Sequence, residues 1–416
     1  MRIAVIGAGI SGLGAALLLA REHDVTLFER EPRLGGHAHS HDVSVGGRAW
    51  RLDTGFLVFN ERTYPNFIRL LDQLGVAAQP SDMSFSVRCH RCGLEYCSRN
   101  LATLFAQPWR LADPGHLRLL ADILRFFRRA RAFLAGRRGL EVTLGEFVEE
   151  GRYGPGLAPH FVLPMTGAIW SASYEDMRAF PARSILHFLD NHGLLAPSGA
   201  PPWFTLRGTS RSYVDAIARR LEGRVRAGVP VANVRRDETG VDVALASGDT
   251  ARFDQVVVAT HADQALALLA DPSDAERDLL GRFRYSVNRT LLHTDATALP
   301  TRRAAWASWN CEIDDCRDHS APASLTYHVN RLQSVTGGPE FCVSLNRRRP
   351  VAGPVLAEMH YTHPILDRRA VEAQPAVQAL NGTRHTFYCG AHLRYGFHED
   401  GLVSALDVAR RFGISL

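Results

Sequence analysis

The sequence predicts an α/β protein in which a Rossmann-like nucleotide-binding domain is interleaved with an α+β substrate domain. Three observations carry this prediction. The chain opens on strand, glycine turn, helix and strand, from Met1 to Gly36. A second buried aliphatic run, Val256 to Ala259, is suited to rejoin the same parallel sheet after a long excursion. At 416 residues the chain is too long for one compact core.

In the opening unit, RIAVIG is a short continuous apolar run suited to a strand buried on both faces. GAGISGLGAALLLAR opens a helix, and VTLFE is a second buried strand ending on an acid. Gly7, Gly9 and Gly12 stand at G-x-G-x-x-G spacing, immediately after the strand and at the helix start. Gly7 permits the tight turn, Gly9 lets the backbone approach a pyrophosphate, and Gly12 lets helix and strand pack closely. The first helical N–H groups, around Ile10 and Ser11, and the positive end of the helix dipole then hold the phosphates. Glu29, 22 residues after Gly7 and followed by Arg30, can accept hydrogen bonds from ribose hydroxyls. A secretory signal also begins with a basic residue and an apolar stretch, but it needs neither the three spaced glycines nor the following strand and acid.

REPRLGGH follows, and here the chain resembles the flavin-dependent amine oxidase superfamily, which includes phytoene desaturases, protoporphyrinogen oxidases and monoamine oxidases. Arg33, Leu34, Gly35 and Gly36 match the family's R-x-G-G-R, with His37 in place of its last arginine. Asp53, Thr54 and Gly55 match D-x-G-G, with Phe56 in place of the second glycine. The resemblance implies FAD as cofactor, held in part by these residues. It also implies that Val231 meets the adenine through its backbone. In the closing segment FYCGAHLRYGFHEDGLVSALDVARRF, Gly390, Gly401 and Leu402 match the family by position. There a helix expected to begin near Gly401 would aim its N-terminus at the flavin's pyrimidine carbonyl, stabilising negative charge on the reduced ring.

Composition narrows the chemistry. The chain contains no lysine, so all 48 basic residues are arginine. A Schiff base, a Walker lysine and the lysine-held water that many amine oxidases of this superfamily use are therefore excluded. A formal charge of +5 and the lack of any nucleic-acid motif argue against a nucleic-acid partner. Seven cysteines, an odd number, point to a reducing compartment, and the expected location is cytoplasmic. CHRCGLEYC holds one C-x2-C pair, Cys89 and Cys92, with Cys97 beyond it. A structural zinc site needs four ligands and no second pair exists in the sequence, so a hairpin tip with free thiols and no metal is expected.

The expected organisation is FAD-binding over 1–75, 206–273 and 384–416, with the substrate domain over 76–205, mostly helical, and 274–383, mostly antiparallel sheet. Asp42 to Phe59 reads as a strand pair turning at Gly46-Gly47, Thr63 to Leu74 as a helix stopped by Gly75, and Thr143 to Glu146 as a capping box. Leu117, Leu120, Ile123, Leu124, Phe127 and Phe133 form the apolar side of an arginine-rich helix within Leu101–Arg138. Two readings of it stand: a helix whose apolar side joins the substrate domain, or a basic amphipathic helix resting on an anionic lipid surface at the inner face of the membrane. Phe161, Trp170, Phe180, Phe188 and Trp203 supply aromatic surface, and Trp306, Trp309, Tyr327, His360 and Tyr361 are candidates to line a cavity floored by the sheet. Thr260 and His261 stand at the carboxyl end of the returning strand, where ligands bind in such sheets.

His398 and Glu399 fall beside the flavin by the closing motif and are the candidates for a catalytic base. Their structural alternatives are that Glu399 caps the last helix and His398 hydrogen-bonds a flavin carbonyl. Over its full length, in strings such as DTGFLVFNERTYPN, LPMTGAIWS and YGFHEDG, the chain resembles a bacterial subgroup of FAD-binding oxidoreductases associated with cyclopropane-fatty-acyl-phospholipid-synthase-type methyltransferases. This implies dehydrogenation of a methylated or unsaturated acyl chain and a methyltransferase as partner. An amine or amino-acid oxidase, a redox-neutral double-bond isomerase and a non-catalytic FAD- or lipid-binding partner remain as alternatives.

Overall fold

The computed structural model describes residues 1–318 and 324–416. β1 (Arg2–Ile6), α1 (Ile10–Leu19) and β2 (Asp24–Glu29) form the expected opening unit. β1 lies in the middle of a five-stranded sheet, between β2 and the returning strand Gln255–Val258, with Val225–Ala227 and Thr386–Tyr388 at the edges. Every pairing in it is parallel. Alternation of side chains divides each strand between two cores. Ile3, Val5 and Val257 pack with α1 and the closing helix His398–Arg411, whereas Ala4, Ile6, Val256 and Val258 pack on the opposite face. That two-sided burial is why these strands are aliphatic throughout rather than alternating.

β3 (Ser40–Val45) and β4 (Arg48–Asp53) pair antiparallel across Gly46 and Gly47, both at positive φ, as the hairpin turn requires. α2 (Pro65–Leu74) ends on Gly75 in the left-handed region. The second large sheet has seven strands, in the order Val355–Ile365, Arg284–His293, Cys342–Leu345, Ser324–His328, Trp309–Ile313, Phe85–Cys89, Glu95–Cys97. Its strands from 284–365 pair antiparallel with one another, as expected, and Phe85–Cys89 joins them running parallel to Trp309–Ile313. The segment RVRAGVPVANVRR, which leads to Val231, is not one continuous strand. It breaks after Ala227, and Val231 begins a separate antiparallel sheet, Val231–Arg236 with Val241–Leu245 and Thr250–Phe253.

The arginine-rich segment forms the helix Pro114–Ala135. It buries Leu119, Ile123, Phe126, Phe127, Ala130 and Phe133, while Leu117 and Leu124 are exposed. Several of its arginines are engaged by the protein itself: Arg125 donates to the carbonyls of Gly151 and Arg152, and Arg129 donates to Glu150. No helix among the described residues is long and apolar enough to cross a membrane.

One buried ionic cluster joins segments far apart in the chain. The Arg236 guanidinium, fully buried, forks onto both oxygens of Glu276 at 2.8 and 2.9 Å and onto Asp271 at 2.9 Å. Tyr388, at the sheet edge, donates to the same Glu276 at 2.6 Å. Burial alone would raise the Glu276 carboxyl, but hydrogen bonds from Arg236, Tyr388 and the Ser273 N–H outweigh it and hold it at about 2. The stability this contributes is present above the ordinary glutamate value of 4.5 and fades as pH falls toward 2. Glu276→Gln leaves the buried Arg236 with Asp271 as its remaining carboxylate partner and is expected to cost stability toward the lower end of roughly 3–5 kcal/mol, read as an earlier denaturation midpoint. An unchanged midpoint at neutral pH contradicts this.

Candidate functional site

The carboxyl ends of β1, Gln255–Val258 and Thr386–Tyr388 lie side by side, and Gly7, Ala259 and Gly390 just beyond them open into one cavity of about 620 Å³. Gly7, at φ +99, could not carry a Cβ, which would sit 2.9 Å from the Ala259 carbonyl. A Cβ on Gly12 would lie 1.8 Å from the Gly7 carbonyl oxygen, so only glycine lets α1 seat this closely on the turn. Gly9 differs: a Cβ there meets no atom within 4 Å and would project into open space. The turn therefore leaves a cradle above Gly9, at the N-terminus of α1, where Ile10 and Ser11 line the wall.

Glu29 and Arg30 stand at one end of this cavity with Val231. The Glu29 carboxylate is fixed by the turn itself, accepting from the Ala8 N–H at 2.7 Å and the Glu31 N–H at 2.9 Å. Each oxygen keeps a lone pair for a ribose hydroxyl. Gly35, Gly36 and His37 form the facing wall, and Arg33 holds that loop by donating to the Gly36 carbonyl at 2.8 Å. Gly55 passes so close to His37 that a Cβ would lie 2.1 Å from its carbonyl oxygen, and the Phe56 N–H donates to that oxygen at 2.8 Å. Asp53 sets this crossing by accepting from Ser40 Oγ and Ser210 Oγ, both at 2.6 Å, and from the Ser210 N–H at 2.8 Å.

FAD fits this wall on two observations. The cradle over Gly9 matches the approach of a pyrophosphate. The His37 Nε2 is buried with no hydrogen-bond partner, beside Gly36 on the same cavity wall, as a group awaiting an acceptor or donor would be. Gly7, Gly9, Ile10, Ser11, Gly35, Gly36 and His37 would hold the phosphates, and Glu29, Arg30 and Val231 the adenosine.

The other end is aromatic. Trp170, Phe188, Trp203, Trp309 and Tyr327 line it, with Met83, Leu57, Val58 and Leu194. Phe161 and Phe180 are core residues instead, and Trp306, His360 and Tyr361 do not face the cavity. His192 and His363 also line the wall. Neither was legible as a site residue from sequence, because no motif surrounds them. Burial holds His192 at about 4, and burial with the neighbouring His37 and His261 holds His363 at about 3, so both are neutral at ordinary pH. Burial followed by His261 and Arg33 likewise keeps His37 at about 4.

The closing segment departs from expectation in register. Its helix begins at His398, not near Gly401, so the first turn is His398, Glu399 and Asp400. Gly390 and His398 line the cavity, but Gly401 and Leu402 do not. Gly401 packs on α1, where a Cβ would meet Ile10 at 2.8 Å and Ser11 at 2.9 Å, and Leu402 is fully buried in the core against Gly14. Gly12 too lies behind the cavity wall rather than in it.

His398 stacks on Phe56, ring centroids 3.8 Å apart and nearly coplanar, and its Nε2 pairs with the Tyr213 hydroxyl at 2.7 Å. Burial, then His37, depress it to about 3, which makes it a weak proton acceptor. Glu399, the other base candidate, has its carboxylate engaged by α2. Its Oε1 accepts from the Asn66 N–H at 3.0 Å and side-chain amide at 2.7 Å, and its Oε2 accepts from the Phe67 N–H at 2.9 Å. It thus satisfies orphan amides in the first turn of α2, turned away from the cavity.

The hairpin tip carries free thiols, as expected, but they are not isolated. Tertiary structure brings His160 and Cys316 to Cys89 and Cys92, with all four ligand atoms within 4.8 Å of one another. His90, the histidine nearest in sequence, instead pairs with Glu312 at 2.7 Å.

Glu399→Gln is expected to cost about 0.5–2 kcal/mol of stability, as the loss of a helix cap does. It should leave turnover per FAD-loaded molecule unchanged. A collapse of turnover in folded, FAD-loaded protein would restore Glu399 to the chemistry.

Comparison with known proteins agrees with this geometry. Residues 10–365 match the family described as flavin containing amine oxidoreductase. The flavin-dependent L-tryptophan oxidase RebO of Lentzea aerocolonigenes is 22% identical over 292 residues, 62% of this chain and 57% of that protein. The chain spans little more than half the length of the first curated relatives it matches. Among solved structures, a CLA-producing fatty acid isomerase from P. acnes superposes with TM-score 0.69 at 17% identity, covering 99% of this chain and 98% of that one. Putrescine oxidase bound to putrescine gives TM-score 0.68 at 12% identity, with 99% of both chains covered. At such identities the likeness is one of fold. Together, the family match over most of the chain and the glycine cradle place this protein in the flavin-containing amine oxidoreductase family, with FAD as its cofactor.

Proposed function

We propose that the protein removes hydride from a methylated or unsaturated acyl chain, introducing a double bond. Its relatives' names divide between tryptophan, putrescine and fatty acid, so the choice rests on the cavity wall. Among the described lining residues the only carboxylate is Glu29 and the only arginine is Arg30, both at the nucleotide end. The aromatic end offers neither an anion to clamp an ammonium nor a cation to clamp a free carboxylate. That wall favours hydrocarbon, and it favours an acyl chain still esterified over a free acid. Burying apolar substrate surface against it supplies roughly 25 cal/mol per Å² and excludes water from the reacting carbon.

Bound FAD supplies the hydride acceptor. Trp170, Phe188, Trp203, Trp309 and Tyr327 confine and orient the chain. His398 braces Phe56 and presents the N-terminus of the closing helix to the cavity, where its positive end favours negative charge. In dehydrogenation a hydride leaves one carbon, a proton leaves its neighbour, and the double bond forms between them. That proton passes to a neutral histidine of the wall, His192 or His363, because the aromatic end holds no carboxylate to take it, and burial makes both weak bases. This favours one second reading, redox-neutral isomerisation, in which hydride returns to another carbon of the chain.

A substrate held in phospholipid suits a peripheral site. Leu101, Trp109, Leu111, Leu117 and Leu124 are the large exposed apolar side chains of the arginine-rich region, and they support contact with an anionic lipid surface. A methyltransferase that makes the methylated acyl chain is the partner this reading calls for.

Anaerobic mixing of FAD-loaded protein with vesicles carrying methylated and unsaturated acyl chains should bleach the flavin and give product lighter by one H2. Product of unchanged mass identifies isomerisation. Bleaching by amines or amino acids, with none by acyl lipids, contradicts the proposal.

A further inference from the structure

We propose that Cys89, Cys92, His160 and Cys316 form a structural zinc site at the outer end of the seven-stranded sheet. The four ligand atoms lie within 4.8 Å of one another. A tetrahedral zinc with ordinary Zn–S and Zn–N distances sets its ligands about 3.4–3.8 Å apart, and Cys92 Sγ already stands 3.4 Å from His160 Nε2. Small side-chain rotations close the rest.

The backbone explains how four distant residues meet. Cys89 ends the strand Phe85–Cys89, and the chain turns back at once: the Gly93 N–H donates to the Cys89 carbonyl at 3.0 Å and the Cys89 N–H to the Leu94 carbonyl at 2.9 Å. Gly93 sits at φ +68, the conformation this turn needs. Ile313 is in parallel register with Cys89, and its carbonyl accepts from the His90 N–H at 2.8 Å, so the chain leaving Ile313 runs alongside the turn and delivers Cys316 to it. His160 arrives from a single π-helical turn, Ala158–Val162, whose backbone is anchored where the Tyr96 hydroxyl donates to the His160 carbonyl at 2.7 Å. Wide turns of this kind recur where a side chain must be aimed.

The donor set selects the metal. Three thiolates and an imidazole suit zinc, and four protein ligands leave no open position for catalysis. None of the four lines the FAD cavity. Cys92 is exposed, Cys89 is buried, and His160 and Cys316 are intermediate, which gives the ion an entry from solvent and a dry inner side. The metal would tie the hairpin tip to the π turn that leads into the helix Leu163–Trp170. That helix carries Ile169 and Trp170 into the aromatic end of the cavity. Zinc thus stiffens the substrate end from outside while leaving the nucleotide end to its own contacts.

The test is metal analysis of the full-length, FAD-loaded protein purified under reducing conditions. One zinc per chain is expected. Exchange for cobalt should give tetrahedral d–d absorption in the red, at wavelengths beyond the flavin bands. Cys92→Ser and Cys316→Ser should lose zinc and lower the melting temperature while FAD stoichiometry is kept. If either variant fails to fold, releasing the metal from native protein with a thiol reagent and a chelator provides the same readout, with a lowered melting temperature and retained yellow colour expected. Reduced native protein that carries no zinc and takes up no cobalt overturns the proposal. So does iron in its place, or a Cys89–Cys92 disulfide in the native protein.

Discussion

The seating of α1 on the turn after β1 is the constraint on which the rest depends. Gly12 has no side chain, so the helix approaches the Gly7 carbonyl at a distance any Cβ would forbid. The helix N-terminus is thereby held at the mouth of the parallel sheet, and Gly9 presents bare backbone to the cavity. The same close approach continues down the helix, where Gly14 admits Leu402 of the closing helix and Gly401 admits Ile10 and Ser11. The two glycine contacts at Gly14 and Gly401 thus lock the first and last helices of the chain into one unit around the site.

From that unit the cavity runs between two physically different environments. At the nucleotide end, N–H groups, Glu29 and Arg30 provide directed polar contacts. At the other end, aromatic rings enclose space without formal charge. The histidines along the wall do not change this contrast, since burial keeps His37, His192, His363 and His398 neutral. A site of this kind binds its cofactor by polarity and its substrate by exclusion of water.

Sequence reveals what is local. The glycine spacing, Glu29, the hairpin at Gly46-Gly47 and the buried run through Val256 all depend on neighbours a few residues away, and the structure places them as read. The closing helix is harder. Its start shifted by one turn relative to expectation because Asp400 reaches back to the Phe397 N–H at 2.9 Å, and that shift moves Leu402 into the core. Glu399 shows the limit most clearly: its partners, Asn66 and Phe67, lie over 330 residues away. The cysteine cluster draws on His160 and Cys316, 68 and 224 residues beyond Cys92, and no spacing rule connects them. Helix amphipathicity misplaced Leu117 and Leu124 because the packed face follows Leu119, Phe126 and Ala130, a stripe set by the neighbouring helices.

A grip on the dinucleotide at the Glu29 end, as well as over the glycine turn, has a direct binding readout. Titrating flavin-free protein with FAD and, separately, with FMN tests it most directly, because FMN lacks the adenosine that Glu29 and Val231 would hold. One FAD is expected to bind per chain, and FMN at least about tenfold more weakly. Equal affinity for the two, or protein that is folded, colourless and takes up neither, would contradict it.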